Sequence, residues 1–217
     1  MSVVLQDVWK DITSNVLDPV SEEWWTTMKK RYGDEMRTYH NVDHLEKKFL
    51  HFETIRSNLK NPDAVALAIF FHYFEYDPKA VDNEEKNVHM FEKFAKEGGI
   101  PKGSPLFEEV INLLKSSATH ITEEHKTEGA FGTDDQHYFL DLDMVVLGSP
   151  SSVYDEYVQK VRQEYSFLPD KSYSSLRLKV LQTFLQIPNI FSTREFRDKF
   201  EDQARLNIKR EVDGLKL

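Results

Sequence analysis

Asn61-Pro62-Asp63-Ala64-Val65-Ala66-Leu67-Ala68-Ile69-Phe70-Phe71-His72 is the stretch on which the fold turns. Asn61 before Pro62 reads as a helix N-cap with proline in the first turn, where its missing N–H costs nothing. The run Ala64 to Phe71 that follows is the longest apolar run of the chain. It is far shorter than the roughly 20 residues a membrane span needs. It therefore predicts the most hydrophobic helix of a helical core, with a stop at Asp77-Pro78.

Similar punctuation recurs on both sides. Ser21 before Glu22 and Glu23, Ser104 before Pro105, and Ser149 before Pro150 read as N-caps, and Ser192 with Glu195 is spaced as a capping box. Gly33, Gly98-Gly99, Gly148 and Gly214 read as stops. Between these marks apolar residues step by three and four: Val4, Val8, Ile12, Val16; Val42, Leu45, Phe49, Phe52; Val88, Phe91, Phe94; Val153, Tyr157, Val161, Tyr165. No strand alternation, repeat or low-complexity tract is seen. The pattern predicts an all-α, single-domain helical bundle over residues 1–217 with about nine or ten helices. Thr122 to Thr133, polar with two glycines, is the one long loop candidate.

The 217 residues are 40% hydrophobic and include 15 Phe, which is ample volume for a core. A net charge of -9 argues against a surface that tracks a nucleic-acid polymer, which needs clustered cations. The absence of cysteine removes disulfides, thiolate nucleophiles and Cys-type zinc sites. Asp7 and Lys10 interrupt the apolar pattern near the start, so no secretory signal is read, and a cytoplasmic or nuclear location without a membrane partner is expected.

Polar residues interrupt three of the predicted helices. His40 and His44, four apart, fall on one helix face and are either ligands or a solvated pair at a helix start. His51 shares that face about 10 Å further along the axis, too far for the same ion. His72 ends the apolar run and is either a satisfied core histidine or a ligand. Asp141 and Asp143 interrupt the apolar run Tyr138 to Leu147; two apart, they cannot face one way, so one faces the core and needs a cation, a metal or a donor there. Together the three interruptions suggest one buried polar site. Histidine with carboxylate suits a divalent Mn, Fe, Co, Zn or Mg that activates water.

Tyr39-His40-Asn41-Val42-Asp43-His44, Ala68-Ile69-Phe70-Phe71-His72, Tyr76-Asp77-Pro78, Asn83-Glu84-Glu85 and Phe139 to Gly148 occur in that order, followed by Tyr154, Tyr157, Arg162 to Tyr165 and Ala204 to Asn207. With these motifs the chain resembles the predicted metal-dependent phosphohydrolases of the HD superfamily over nearly its whole length. That family's pattern is a histidine, a His-Asp doublet and a distal Asp around one or two metals in a helical bundle. The resemblance implies His40 or His44 as first ligand, His72 as the doublet histidine and Asp143 as the distal ligand, with Asp141 as fallback. It makes His120 a histidine near the site, able to bind phosphate or a second metal; a helix C-terminal histidine is the alternative.

Tyr73 stands where the doublet aspartate should be. A phenol, with an ordinary pKa of about 10, replaces a carboxylate poorly. Glu75, three residues after His72 on the same expected helix face, or Glu84 or Glu85 on the next helix, could supply the missing carboxylate. Glu84 and Glu85 equally suit a helix N-terminus. Arg162 and Arg205 could bind phosphate oxygens bidentately, or form surface salt bridges with Glu164 and Glu201. The expected function is hydrolysis of a small-molecule phosphate ester, with a nucleotide to be tested first. The alternative is a descendant that lost turnover with the doublet aspartate and acts as a ligand-binding or protein-binding module.

Overall fold

The computed structural model describes residues 4–215; the first three and last two residues of the expected domain lie outside the described residues. The described residues are all-helical, with no strand: eleven α-helices and two 3-10 turns, slightly more than the nine or ten helices expected. No helix among them is long and apolar enough to cross a membrane. The chain divides into two compact units, Met1–His120 and Ile121–Leu217.

The first unit contains α1 (Leu5–Ile12), α2 (Asp18–Tyr32), α3 (Val42–Ile55), α4 (Pro62–His72), α5 (Asn83–Gly98) and α6 (Pro105–Ser116). Helix α4 is built from the apolar run Ala64 to Phe71. Every residue from Ala64 to His72 is buried, as a helix apolar all round must be, and α1, α3, α5 and α6 lie against it. Its N-terminus is capped as expected, the Asn61 side chain accepting a hydrogen bond from the Ala64 N–H. Phe70 meets Trp9 edge-on at 5.2 Å and Phe49 at 4.7 Å, and Phe71 packs among Trp24, Phe91 and Phe94 at 5.4 to 5.7 Å.

Helix α4 ends at His72 and not at Asp77-Pro78. Side chains from outside the helix take over its last carbonyls. Arg37 donates to the carbonyls of Tyr73 and Phe74, and the buried Asn87 of α5 donates to those of His72 and Glu75 while accepting from the Glu75 N–H. These bonds replace the next helical turn and fix residues 73–76 as a short loop.

Two sequence readings shift. The buried face of α1 is Leu5 and Trp9, with Val4 exposed, because the large indole of Trp9 takes the core position and rotates the Val4, Val8, Ile12 row outward. Helix α2 starts at Asp18, with Pro19 in its first turn, so Ser21 is no N-cap; it is buried, bonding Thr13 through its hydroxyl and accepting the Trp9 indole N–H on its carbonyl. The stop at Gly98-Gly99 is found, with Gly99 left-handed at φ 81°.

The second unit contains α7 (Glu123–Lys126), α8 (Asp135–Met144), α9 (Ser151–Glu164), α10 (Asp170–Gln186) and α11 (Arg194–Leu215). Helix α7 forms inside the expected loop Thr122–Thr133, because the buried His125 ring accepts the Thr122 N–H and closes one turn. A 3-10 turn, Val145–Gly148, follows α8 and lies against α11. A Cβ on Gly148 would come within 2.5 Å of the Phe200 Cβ and 2.6 Å of its carbonyl oxygen. Since backbone cannot yield as a flexible side chain does, Gly148→Ala is expected to cost about 1–3 kcal/mol, read as a lower urea midpoint at unchanged slope. An unchanged midpoint would show that α11 can shift away.

Between α9, α10 and α11 the nearly buried Arg177 pairs with Glu211 at 2.8 Å, and the Tyr154 hydroxyl donates to the same carboxylate. Burial, and the Glu211 charge beside it, push the Tyr154 phenol up and hold it neutral.

Candidate functional site

His40, His44, His72, Tyr73 and His120 belong to the first unit and gather at the C-terminal end of α4. His40 is not on α3: the Asn41 side chain caps the helix by accepting the His44 N–H, so His40 lies one residue before the cap. The cap turn, not a shared helix face, brings the rings of His40 and His44 to 5.3 Å. His44 is buried and His40 half-buried.

Tyr73 occupies the centre. As C-cap of α4 it leaves the helix direction, at φ -121° and ψ 26°. Its ring lies 4.2 Å from that of His72 on one side and 4.3 Å from that of His40 on the other, with His44 at 5.8 Å and Tyr76 at 5.7 Å. Tyr76 also packs on His40, at 4.4 Å.

On the far side of Tyr73, His72 faces His120, with ring centroids 6.0 Å apart. Each offers a ring nitrogen within 4.8 Å of the other, a separation from which two imidazoles can reach one ion of ordinary metal–nitrogen distance, about 2.0–2.1 Å for zinc, after small rotations. His120 is the one non-glycine residue with positive φ among the described residues, at 53°. That backbone is held where histidine is uncommon but tolerated, a kind of strain that clusters at functional positions. Glu84, in the first turn of α5, is half-buried; burial, then the charge of Glu85, push its carboxyl up, and His120 opposes this. The histidine paired with His72 is His120, while His40 and His44, expected to supply the first ligand, lie against Tyr73. Among the described residues neither His40 nor His44 joins a group of three potential ligands.

Lys48 was not singled out by the sequence. It lies one turn beyond His44 on α3, only 4% exposed, with its ammonium 5.1 Å from the Tyr73 ring centroid. A lysine inside the face drawn by Leu45, Phe49 and Phe52, four residues after a candidate histidine, was the available signal.

Several expected residues are engaged elsewhere. Glu75 is beyond the end of α4, so it does not share the His72 face, and it pairs with Arg31 at 2.9 Å. Arg162 donates to the carbonyls of Tyr165 and Leu168 and to Asp170, closing the turn between α9 and α10. Arg205 pairs with Glu201 at 2.7 Å and donates to the carbonyls of Ile187 and Pro188. Both guanidiniums brace loops, as chain carbonyls left over at helix ends require.

The two aspartates of α8 separate cleanly. Asp141 is 0% exposed and accepts four hydrogen bonds, from the N–H and hydroxyl of both Ser192 and Thr193, at 2.7 to 3.0 Å. It caps α11, displacing the capping box expected from Ser192 and Glu195; Glu195 instead accepts from the Tyr138 hydroxyl. Burial pushes the Asp141 carboxyl up to about 6 against those four bonds. Asp141 is thereby a structural acceptor, whereas Asp143, one residue before the end of α8, is half-buried.

Comparison with family models, with curated proteins and with solved structures found no match.

Proposed function

We propose that this chain is a metal-dependent phosphohydrolase of the HD-superfamily type, with one divalent metal held by His72 and His120. The observation that carries the reading is that pair: two histidines from the ends of two different helices, one on a left-handed backbone, with ring nitrogens within 4.8 Å. The third ligand is assigned to Asp143 on the sequence pattern alone. Imidazole with carboxylate, and no thiolate, suits Mn, Fe, Co, Zn or Mg. When bound, such an ion lowers the pKa of a water and polarises a phosphoryl oxygen. Glu84, set beside His120 and partly desolvated, is the proton carrier in this reading. The substrate is a small phosphate ester, a nucleotide being the first to test, in a cytoplasmic or nuclear setting.

A second reading is favoured by Tyr73. Its ring fills the space between His72 and His40, where the family pattern calls for a carboxylate. Under this reading the site binds a ligand or a partner protein without turnover.

Elemental mass spectrometry of tag-free protein separates the two. We expect about one metal per chain, lost in His72→Ala, and phosphate release from nucleotides or simple esters with added Mn, Co or Mg. Protein that takes up no metal and releases no phosphate would overturn the hydrolase in favour of the binding module.

A further inference from the structure

We infer that Arg194 and Arg197, set against the ring of Phe131, form an oxyanion site for the phosphoryl group of a small phosphate. All three residues belong to the second unit, and the site does not depend on the hydrolase reading.

Arg194 and Arg197 lie three residues apart in the first turn of α11, and each places its guanidinium carbon 4.1 Å from the centroid of the Phe131 ring. A cation–π contact is made by the face of a guanidinium, whereas its hydrogen bonds are made at the edge. Arg197 spends most of that edge on the chain: Nε donates to the Phe191 carbonyl, and Nη2 to those of Ala130 and Ser192. Arg194 spends none of it. Its side chain is exposed and makes no hydrogen bond or ion pair among the described residues.

The position opposes what helix chemistry favours. Acids suit the first turn of a helix, and cations there face the positive end of its dipole. Asp198, exposed and four residues after Arg194, is spaced as its partner, yet the two form no ion pair, and Glu195 accepts from the Tyr138 hydroxyl. Burial lowers the pKa of the Arg197 guanidinium; Glu201, Asp141 and Asp198 oppose this, and the charge of Arg194 adds to it. Asp141 is already engaged by Ser192 and Thr193, and Glu201 by the Ile190 and Phe191 N–H groups and Arg205. An anion seated on the two guanidiniums relieves their repulsion.

The ring beneath them is fixed. The Gly132 N–H donates to the Ser192 carbonyl at 2.9 Å, and Arg197 holds the Ala130 carbonyl at 2.6 Å, so both chain neighbours of Phe131 are tied to the start of α11. A Cβ on Gly132 would come within 2.2 Å of the His137 ring, so the loop lies directly on α8. The N–H groups of Ser192 and Thr193 are taken by Asp141, which leaves the ligand to the arginine side chains. A phosphoryl group carries close to two negative charges at neutral pH, matching two guanidiniums, and an arginine edge binds its oxygens in pairs. Arg162 and Arg205, which the sequence offered for phosphate, are committed to loop carbonyls; Arg194 has its donors available.

NMR tests the site. The Phe131 ring and arginine Nε–H signals of EDTA-treated full-length protein are followed during titration with inorganic phosphate and, separately, with glycerol 3-phosphate. Chloride keeps the ionic strength constant, so that general screening does not contribute. Saturable shifts at Phe131 and Arg194 are expected. Arg194→Gln should weaken binding at least about tenfold and Phe131→Leu at least about threefold, while Arg210→Gln, at an exposed arginine further along α11, should leave it within about twofold. Arg194 is exposed and bonds nothing in the chain, so its variant keeps the fold. Binding of either phosphate upholds the site, and the tighter of the two identifies its source. No saturable shift in wild type, wild-type binding in Arg194→Gln, or equal losses in Arg194→Gln and Arg210→Gln overturns it.

Discussion

Tyr73→Asp is expected to tighten divalent metal binding about 10- to 100-fold. At neutral pH an aspartate supplies a charged oxygen where the phenol supplies a neutral one, because their ordinary pKa values are about 3.9 and 10. That charge replaces a ring whose centre lies 4.2 Å from that of His72. A cation at His72 gains a ligand. Titration of chelator-stripped protein with Mn or Co reads the affinity. Unchanged metal affinity would show that position 73 is not part of the metal centre. If phosphate release appears in this variant and is absent from wild type, the binding-module reading is the correct one.

How much of this was legible beforehand depends on the kind of information each residue carries. The apolar run Ala64 to Phe71 determined a buried helix and its N-cap, because solvent exclusion and capping are local chemistry. Its end was not legible: Arg37 and Asn87, 36 and 15 residues from the carbonyls of Tyr73 and His72, stop α4 through hydrogen bonds that no spacing rule anticipates. Glu75 therefore lies beyond the helix and shares no helix face with His72. The same reason separates Asp141 from Asp143. Sequence required that one face the core and find a donor; only the fold reveals that the donors are Ser192 and Thr193, more than 50 residues on. His72 and Tyr73 were found because they interrupt an apolar run or a motif. Lys48 was missed because a lysine among polar helix residues is unremarkable until its ammonium is seen under a tyrosine ring.

Asp141→Ala is expected to destabilise the protein by about 3–5 kcal/mol without removing any metal ligand. The carboxylate accepts two backbone N–H groups and two hydroxyls at the N-terminus of α11. Ser192 can redirect its hydroxyl toward the His137 carbonyl, which it already approaches at 3.4 Å, but the two backbone donors cannot rotate away, and both Ser192 and Thr193 are fully buried. Each orphaned buried donor costs about 1–3 kcal/mol, and a cavity is added. The pH dependence has a definite sign. Burial raises the folded carboxyl from 3.8 to about 6, so between those values the folded state binds more protons than the unfolded state. The proton-linked part of this group's stability is therefore greatest below pH 3.8 and is lost as pH rises to about 6, while the four accepted hydrogen bonds and the filled volume remain. Urea midpoints of wild type should fall across that interval relative to those of Asp141→Ala, which lacks the group. Asp143→Asn provides the contrast: it should lower metal stoichiometry and change the urea midpoint far less. A variant pair with the roles exchanged, metal lost in Asp141→Ala and stability lost in Asp143→Asn, would reverse the assignment of the two carboxylates. Equal stability of Asp141→Ala and wild type would mean that α11 is held by its apolar face alone.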